Sequence, residues 1–326
     1  WVVPRDPTVP EVHLCLNGEV IATTSATSPP RETATRRRTF ALNCQAMLDY
    51  LGDGDLITIE SEGRPLRVSD TGYRLVVTTG YPSRSDELLE LVRDDHIFTK
   101  FGKLRRRYTP ERKQQILTYF EEISGIVRRH LGYRCYPFYG NLLGAVRDHD
   151  FIEHDVGGFD MGYVSAHRRP NDVRAEFLGL CRHLLELGYD LRMDPWCAMV
   201  RRDPADKVFM DINYGWFAPG GELNLSYGWR FAPVTDSEGL HAPRETPMGG
   251  HLVPVPGNAE AVLEQIYGPT WVIPDQGFDP SVRLRRDTAY LLTAEEMESL
   301  QAAYPERVRI DAVLTEDGET ESRLGA

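Results

Sequence analysis

The stretch that most constrains this chain runs from Tyr139 to Gly162, YGNLLGAVRDHDFIEHDVGGFDMG. The apolar, aromatic run from Tyr133 to Tyr139 predicts a buried strand that ends at Gly140-Asn141. A short amphipathic segment, Leu142 to Arg147, follows, and then Asp155 and Asp160 with Gly157-Gly158 between them. Glycine lets a backbone approach a phosphate closely. Clustered carboxylates bind the hard cation that phosphates need. That order of parts points to phosphoryl-transfer chemistry.

The flanking sequence predicts helices and strands in alternation. Thr109-Pro110-Glu111 opens a helix with a capping Thr, Pro at the first helical position and an early acid. Ile116, Phe120, Ile123, Val127 and Leu131 lie on one face of it, and Gly132 ends it. A second helix spans Pro170 to Leu187, with Val173, Phe177, Leu180, Leu184 and Leu187 toward the core and Gly188 as its stop. Strands are expected at Tyr189–Met193, Ala198–Arg201 and Lys207–Asn213. On the last, Val208, Met210 and Ile212 share one face, and Phe209, Asp211 and Asn213 the other. An acid on a core strand needs a partner or a metal. Further helices are expected over Asn258–Tyr267 and Thr293–Ala303, and the acidic tail from Glu316 reads as mobile.

Residues up to about Thr79 read as β-structure. VHLCLNGEVIA alternates around Asn17-Gly18, a type I′ hairpin signal. Thr39–Leu42, Leu56–Ile59 and Tyr73–Thr78 read as further strands, and Pro29-Pro30 as a loop. The expected organisation is a small antiparallel β-sandwich-like domain over 1–80, a charged linker or docking segment over 81–108, and an α+β catalytic domain over 109–326.

The net charge of −12 over 326 residues argues against a nucleic-acid groove, which needs a basic field. Arg36-Arg37-Arg38 and Arg105-Arg106-Arg107 read as solvated faces. Five cysteines, an odd number with no C-x-x-C pair, argue against structural zinc and a disulfide framework, and for a reduced, cytosolic compartment. No apolar run has the length of a membrane span, and no signal peptide is visible. Beginning at Trp1, the chain reads as a piece cut from something longer.

Asp155, Asp160 and Asp211 are the candidate ligands of Mg²⁺, which takes a few carboxylates and leaves positions for phosphate oxygens. Each acid has a plainer reading: a turn acid for Asp155, a strand-edge surface acid for Asp160, an arginine partner for Asp211. His149 and His154 flank the site, as metal ligands or as hydrogen-bonding surface residues. Arg147 is placed either to meet a phosphate or to pair with Asp148 or Asp150. Tyr214, Trp216, Tyr227 and Trp229 either stack on a base or sugar or fill an aromatic core.

These residues resemble the LicD / fukutin-related family of phosphotransferases, which have a nucleotidyltransferase-like fold. Family members read G-(T/S/N)-L-L-G-A-x-R and then F-I-P-(W/H)-D-x-D-(I/V/F)-D. Here the counterparts are Gly140-Asn141-Leu142-Leu143-Gly144-Ala145-Val146-Arg147 and Phe151-Ile152-Glu153-His154-Asp155-Val156-Gly157-Gly158-Phe159-Asp160. VFMDINYGWF, with Asp211, is similar to the family's third-acid strand, and HLVPVPGNAEAVLEQIYGPTWVIPDQGFD to its closing segment. The resemblance covers about residues 110 to 280.

It implies a nucleotidyltransferase-like mixed sheet and transfer of a phospho-alcohol (phosphocholine, phospho-ribitol or phospho-glycerol type) from a CDP-linked donor to a glycan hydroxyl, releasing CMP. By the same resemblance, Asp155, Asp160 and Asp211 are catalytic and hold Mg²⁺ or Mn²⁺, while Gly140, Asn141, Arg147 and His154 bind substrate. The setting implied is cell-surface polysaccharide synthesis, with the chain cytoplasmic and peripheral to membrane-bound machinery.

One departure stands out. The family's three acids are spaced two apart, and here the middle acid is missing and a residue is added. Asp155 and Asp160 lie five apart, so an unbroken strand points them to opposite faces unless Gly157-Gly158 makes a bulge or turn. Either the metal site is rebuilt, or activity is lost and the chain is a glycan-binding or scaffold module on the same fold; a nucleotidyltransferase making the CDP-alcohol is a close variant of the enzymatic reading.

Overall fold

Side-chain alternation along the strands separates a dry face from a polar one, and that division organises the molecule. A computed structural model describes residues 10–26, 40–68, 72–203, 208–231, 242–275, 278, 287–314 and 320–322. Pro29-Pro30, Arg36–Arg38, Thr39, Lys207 and the start of the acidic tail at Glu316 lie outside these. The fold is mixed α+β with several sheets. It divides into a first unit, Trp1–Thr109 with Ile152–Val156 and Pro269–Asp279, and a second, Pro110–Phe151 with Gly157–Gly268 and Pro280–Ala326.

In the first unit, β1 (Glu11–Leu16) and β2 (Glu19–Ser25) form the expected hairpin. Asn17 and Gly18 take φ of +52° and +89°, the positive pair that a type I′ turn requires. The Asn17 side chain accepts from Leu56 N (2.8 Å) and donates to Asp55 Oδ1 and Ser85 Oγ (2.9 Å each). β3 (Leu56–Ser61) pairs with β1, and β4 (Arg64–Pro65) and β5 (Arg74–Val76) pair with β3, all antiparallel.

Three expectations are corrected here. The sheet faces α1 (Ser85–Arg93), a 3₁₀ turn over Gln45–Asp49 and the ribbon β6 (His96–Phe98)–β7 (Leu104–Arg106), so it is a sheet under a helix rather than a sandwich. Segment 81–108 is part of this unit rather than a linker, because Leu88, Leu89 and Phe98 join Leu14, Leu16, Ile21 and Met47 in one core. Residues 40–42 form no strand, since the chain is already turning into the 3₁₀ segment, where Ala46 N bonds Gly102 O. The basic run 105–107 is a surface, with Arg106 paired to Asp94 (2.9 Å) and Arg107 to Glu153 (2.7 Å).

The second unit is built on an eight-stranded mixed sheet. Its strands are β8 (Tyr136–Pro137), β9 (Phe159–Val164), β10 (Asp190–Asp194), β11 (Cys197–Arg201), β12 (Met210–Phe217), β13 (Leu223–Leu225), β14 (Trp229–Arg230) and β17 (Val308–Ile310). The order β8-β9-β12-β11-β10-β17 has β9–β12 and β10–β17 parallel and the other pairs antiparallel, and β13-β14 extends from the end of β12. Phe159, Met161, Tyr163, Leu191, Met193, Ala198, Val200, Met210, Ile212, Tyr214, Trp216 and Val308 are each at most 2% exposed and make its dry face. Helices α2 (Pro110–Leu131) and α4 (Pro170–Glu186) cover that face, Phe120 meeting Phe159 (centroids 5.3 Å) and Phe177 meeting Tyr214 (4.4 Å). Each such side chain contributes about 1.5–3 kcal/mol of burial.

Both long helices stop where expected, at Gly132 and Gly188, whose φ of +80° and +95° only glycine takes easily. Leu187 does not reach the core: it is the helix's terminal cap and is 52% exposed. The strand expected over Tyr133–Tyr139 shrinks to two residues, because Pro137 lacks a donor and Tyr139 turns to φ +48° to start a helix. The strand expected to begin at Lys207 begins at Met210 and runs on to Phe217.

The remaining elements are the hairpin β15 (Arg244–Met248)–β16 (His251–Val255), α5 (Ala259–Tyr267) and α6 (Ala294–Ala303), which Thr293 and Glu296 close with a reciprocal capping box. In the tail read as mobile, β19 (Thr320–Ser322) pairs with β18 (Ala312–Leu314). All five cysteines are free. No helix of the described residues is long and apolar enough to cross a membrane.

Candidate functional site

The other face of the same sheet carries the candidate site residues Asp160 and Asp211. β9 and β12 are parallel, and Asp160 and Asp211 are register partners on them. Register partners on adjacent strands point to one face about 5 Å apart, so the two carboxylates stand side by side. One row on, Asn213 reaches Asp160 Oδ1 from Nδ2 at 3.5 Å and donates to the Asp211 carbonyl at 3.1 Å. Cys197 and Met199 of β11 partner Asn213 and Asp211, and Asp194 and Arg192 of β10 come next. Asp160, Asp211, Cys197, Asp194, Arg192 and Arg201 therefore share one half-buried polar surface, with Asn213 buried among them.

The motif ahead of β9 fixes this geometry. Asn141, in α3 (Tyr139–Leu143), accepts from the Asp160 main-chain N with its Oδ1 at 2.8 Å. Phe138 N bonds the Asp160 carbonyl at 2.9 Å, so both backbone groups of Asp160 are held from the turn that precedes it in sequence. Gly140 lies in the same short helix, half-buried. A π turn over Gly144–Asp148 ends at His149 in the left-handed region. Gly158 has a different task from the bulge or turn expected of it: a Cβ there would stand 2.3 Å from Asp211 Oδ2 and from a Phe209 ring carbon. Only glycine lets the chain enter β9 so close to the Asp211 carboxylate.

The electrostatics are those of crowded, half-desolvated acids. Burial and then the Asp194 charge raise the Asp211 carboxyl, Arg201 and Arg192 oppose, and Asp311 adds to the rise, which brings it to about 7. Burial, then the charges of Asp211, Asp194 and Asp160, push the Cys197 thiol well above its ordinary range, so it is a neutral thiol. Arg192 forks onto Asp311 through Nε and Nη2 (3.2 and 2.5 Å), and Arg201 lies 5.0 Å over the Phe209 ring.

The other expected members make the following contacts. Asp155 belongs to the first unit, where its carboxylate meets Lys100 Nζ at 2.8 Å, and the His154 carbonyl accepts from Lys100 N there at 3.0 Å. Arg147 pairs with Asp148 (Nε 3.0 Å, Nη2 2.8 Å), the plainer of its two readings. His149 Nδ1 lies 3.1 Å from the Ala145 carbonyl. Tyr214, Trp216 and Trp229 are buried, Trp216 stacked on Tyr290 at 4.4 Å, while Tyr227 is half-buried.

Asp194, Arg192, Cys197 and Trp196 were not singled out in the sequence. Their signal is the alternation in DLRMD and CAMVR, which becomes informative only once register places it beside Asp211. Two side-by-side carboxylates with a cation-relieving excess of negative charge fit Mg²⁺, which is held by one or two carboxylates together with substrate phosphate. Among the described residues, no group of three or more His, Cys, Asp or Glu side chains is arranged to hold a metal.

No family model matches the chain, and no curated protein matches it. Among solved structures it is similar to the E. coli MS115-1 CdnC:HORMA-deltaN complex, at 8% identity and a TM-score of 0.31, covering 68% of this chain and 58% of that one. It is also similar to the Bradyrhizobium diazoefficiens CD-NTase CdnG in complex with GTP, at 14% identity and a TM-score of 0.28, covering 63% of each chain. The chain thus spans about three fifths of the length of these two, and at such scores neither likeness bears on what it does.

Proposed function

We propose that the second unit is a metal-dependent transferase on a nucleotidyltransferase-like fold of the LicD / fukutin-related kind, moving a phospho-alcohol from a CDP-linked donor to a glycan hydroxyl. The observation that carries this reading is the register pairing of Asp160 with Asp211 on parallel strands. Asp160 and Asp211 would hold Mg²⁺ or Mn²⁺, which supplies charge neutralisation to the donor phosphates when bound. The chain's own work is positional. Asn141 and Phe138 lock Asp160 through its backbone, Gly158 lets the strand pass beside Asp211, and Asn213 braces both acids from the next row. Phosphoryl transfer draws its rate mainly from such placement and from charge stabilisation. Asp155 pairs with Lys100 in the first unit, and the reading rests on Asp160 and Asp211.

Asp160→Asn and Asp211→Asn are each expected to abolish metal-dependent CMP release from CDP-choline, CDP-ribitol or CDP-glycerol while the protein stays folded. Full turnover in both variants rejects the assignment. Release of pyrophosphate from CTP, with formation of a CDP-alcohol, would mark a nucleotidyltransferase instead. Glycan binding with no metal-dependent nucleotide binding would mark a non-catalytic module.

A further inference from the structure

Beside the acid pair runs a line of three aromatic rings that the reading above does not use. Tyr139 opens α3 between Phe138, whose N bonds the Asp160 carbonyl, and Asn141, whose Oδ1 accepts from Asp160 N, so it sits in the turn that holds Asp160. Its ring meets that of Tyr227 (centroids 5.6 Å), and Tyr227 meets Trp196 edge-on (6.2 Å, 81° between planes). Tyr139, Tyr227 and Trp196 are each half-buried, unlike the buried core aromatics Tyr214 and Trp216.

Trp196 and the middle ring, Tyr227, sit on turns that the core pins. Trp196 lies in the two-residue turn between β10 and β11, where the Pro195 carbonyl accepts from Leu292 N (2.9 Å) and Tyr214 Oη (3.3 Å). Tyr227 lies in the turn between β13 and β14, which is closed by Gly228 N to Leu225 O (2.8 Å) and followed back to β12 by Ser226 N to Tyr214 O (2.8 Å). Tight turns tied to buried groups hold a ring with little freedom to lose on binding.

The spacing has chemical meaning. Cys197, next to Trp196, is in register with Asn213, one row beyond Asp211. A row of two residues advances about 7 Å. Trp196 is one residue past that row, about 10 Å along the strand from the level of Asp211, a span that a phosphate held at Asp211 and its sugar cover before the base begins. An aromatic ledge there takes a planar ring, and stacking on it is tolerant of the ring's identity.

Resting on the donor reading above, we propose that Trp196, with Tyr227 behind it, is the stacking ledge for the nucleobase of the donor. It determines affinity for a nucleotide over a bare sugar phosphate.

The test is calorimetric titration of the whole chain with CMP and with ribose 5-phosphate, each with Mg²⁺. The wild-type protein is expected to bind CMP about tenfold or more tightly than ribose 5-phosphate. Trp196→Ala is expected to lose that advantage and leave ribose 5-phosphate binding unchanged, and Trp196→Phe, which keeps a ring, to retain most of it. Equal wild-type affinity for the two ligands, undiminished CMP binding in Trp196→Ala, or equal weakening of both ligands overturns the ledge and leaves the metal-dependent donor site standing. No Mg²⁺-dependent binding of either ligand to the wild-type protein rejects the donor site and the ledge together.

Discussion

Asp211 and Ile212 are neighbours in sequence and lie on opposite faces of one strand. Ile212 is wholly buried with Met210, Tyr214 and Met161 beneath two helices. Asp211 is half-buried beside Asp160, with its carboxyl raised to about 7. The dry face gains from every atom it removes from water. The polar face holds a charge that its surroundings resist, an arrangement that a bound cation would relieve. One strand thus sets a packing face against the face of the proposed site with alternate residues, and substitutions on the two faces are expected to separate those roles.

The largest expected effect is on the polar face. Asp211→Asn is expected to lower metal-dependent turnover about a thousandfold or more, over 4 kcal/mol of barrier, with unchanged far-ultraviolet circular dichroism. One residue on, Ile212→Ala is expected to cost about 2–5 kcal/mol of unfolding free energy in urea, with turnover per folded molecule intact. Turnover lost with Ile212→Ala and kept with Asp211→Asn would invert the assignment of the faces.

A third contrast is in pH. Asp211 is raised, so between its ordinary range near 4 and about 7 the folded protein holds a proton that the unfolded chain has released. The stability tied to Asp211 is therefore full below pH 4, falls as pH rises to about 7 and stays level above that, a loss on the order of 4 kcal/mol. Asp211→Asn is expected to flatten this slope in pH-dependent urea titrations and to be the more stable protein at pH 8. The same slope in both proteins would remove Asp211 as its source.

The smallest effect sharpens the boundary between the faces. Gly158 lies outside the left-handed region, so alanine there meets crowding alone, against Asp211 Oδ2 and Phe209. Gly158→Ala is expected to cost about 1–3 kcal/mol and to weaken Mg²⁺-dependent CMP binding, read by thermal melts and calorimetry. Binding left intact would mean that the close approach serves packing only.

Much of this was legible in the chain because local chemistry dictates it. Asn17-Gly18 turns because both residues accept positive φ, and Gly132 and Gly188 end helices for the same reason. The faces of β12 followed from alternation: Met210 and Ile212 in, Asp211 out. Alternation cannot supply register. Nothing local pairs Asp160 with Asp211, brings Cys197 beside Asn213 or seats Trp196 beside Tyr227. The same limit explains Asp155, whose nearness in sequence to Asp160 gave no warning that Lys100 would engage it in the other unit.

What the sequence determined by itself was the set of elements and which side of each strand avoids water, since both follow from backbone preference and side-chain polarity over a few residues. Which acids stand together, which glycine must remain small and which aromatics stay at the surface was decided only when strands distant in the chain paired. Pairing is a long-range choice, made by the whole dry face packing under α2 and α4, and it carries the polar residues on the reverse side into position with it.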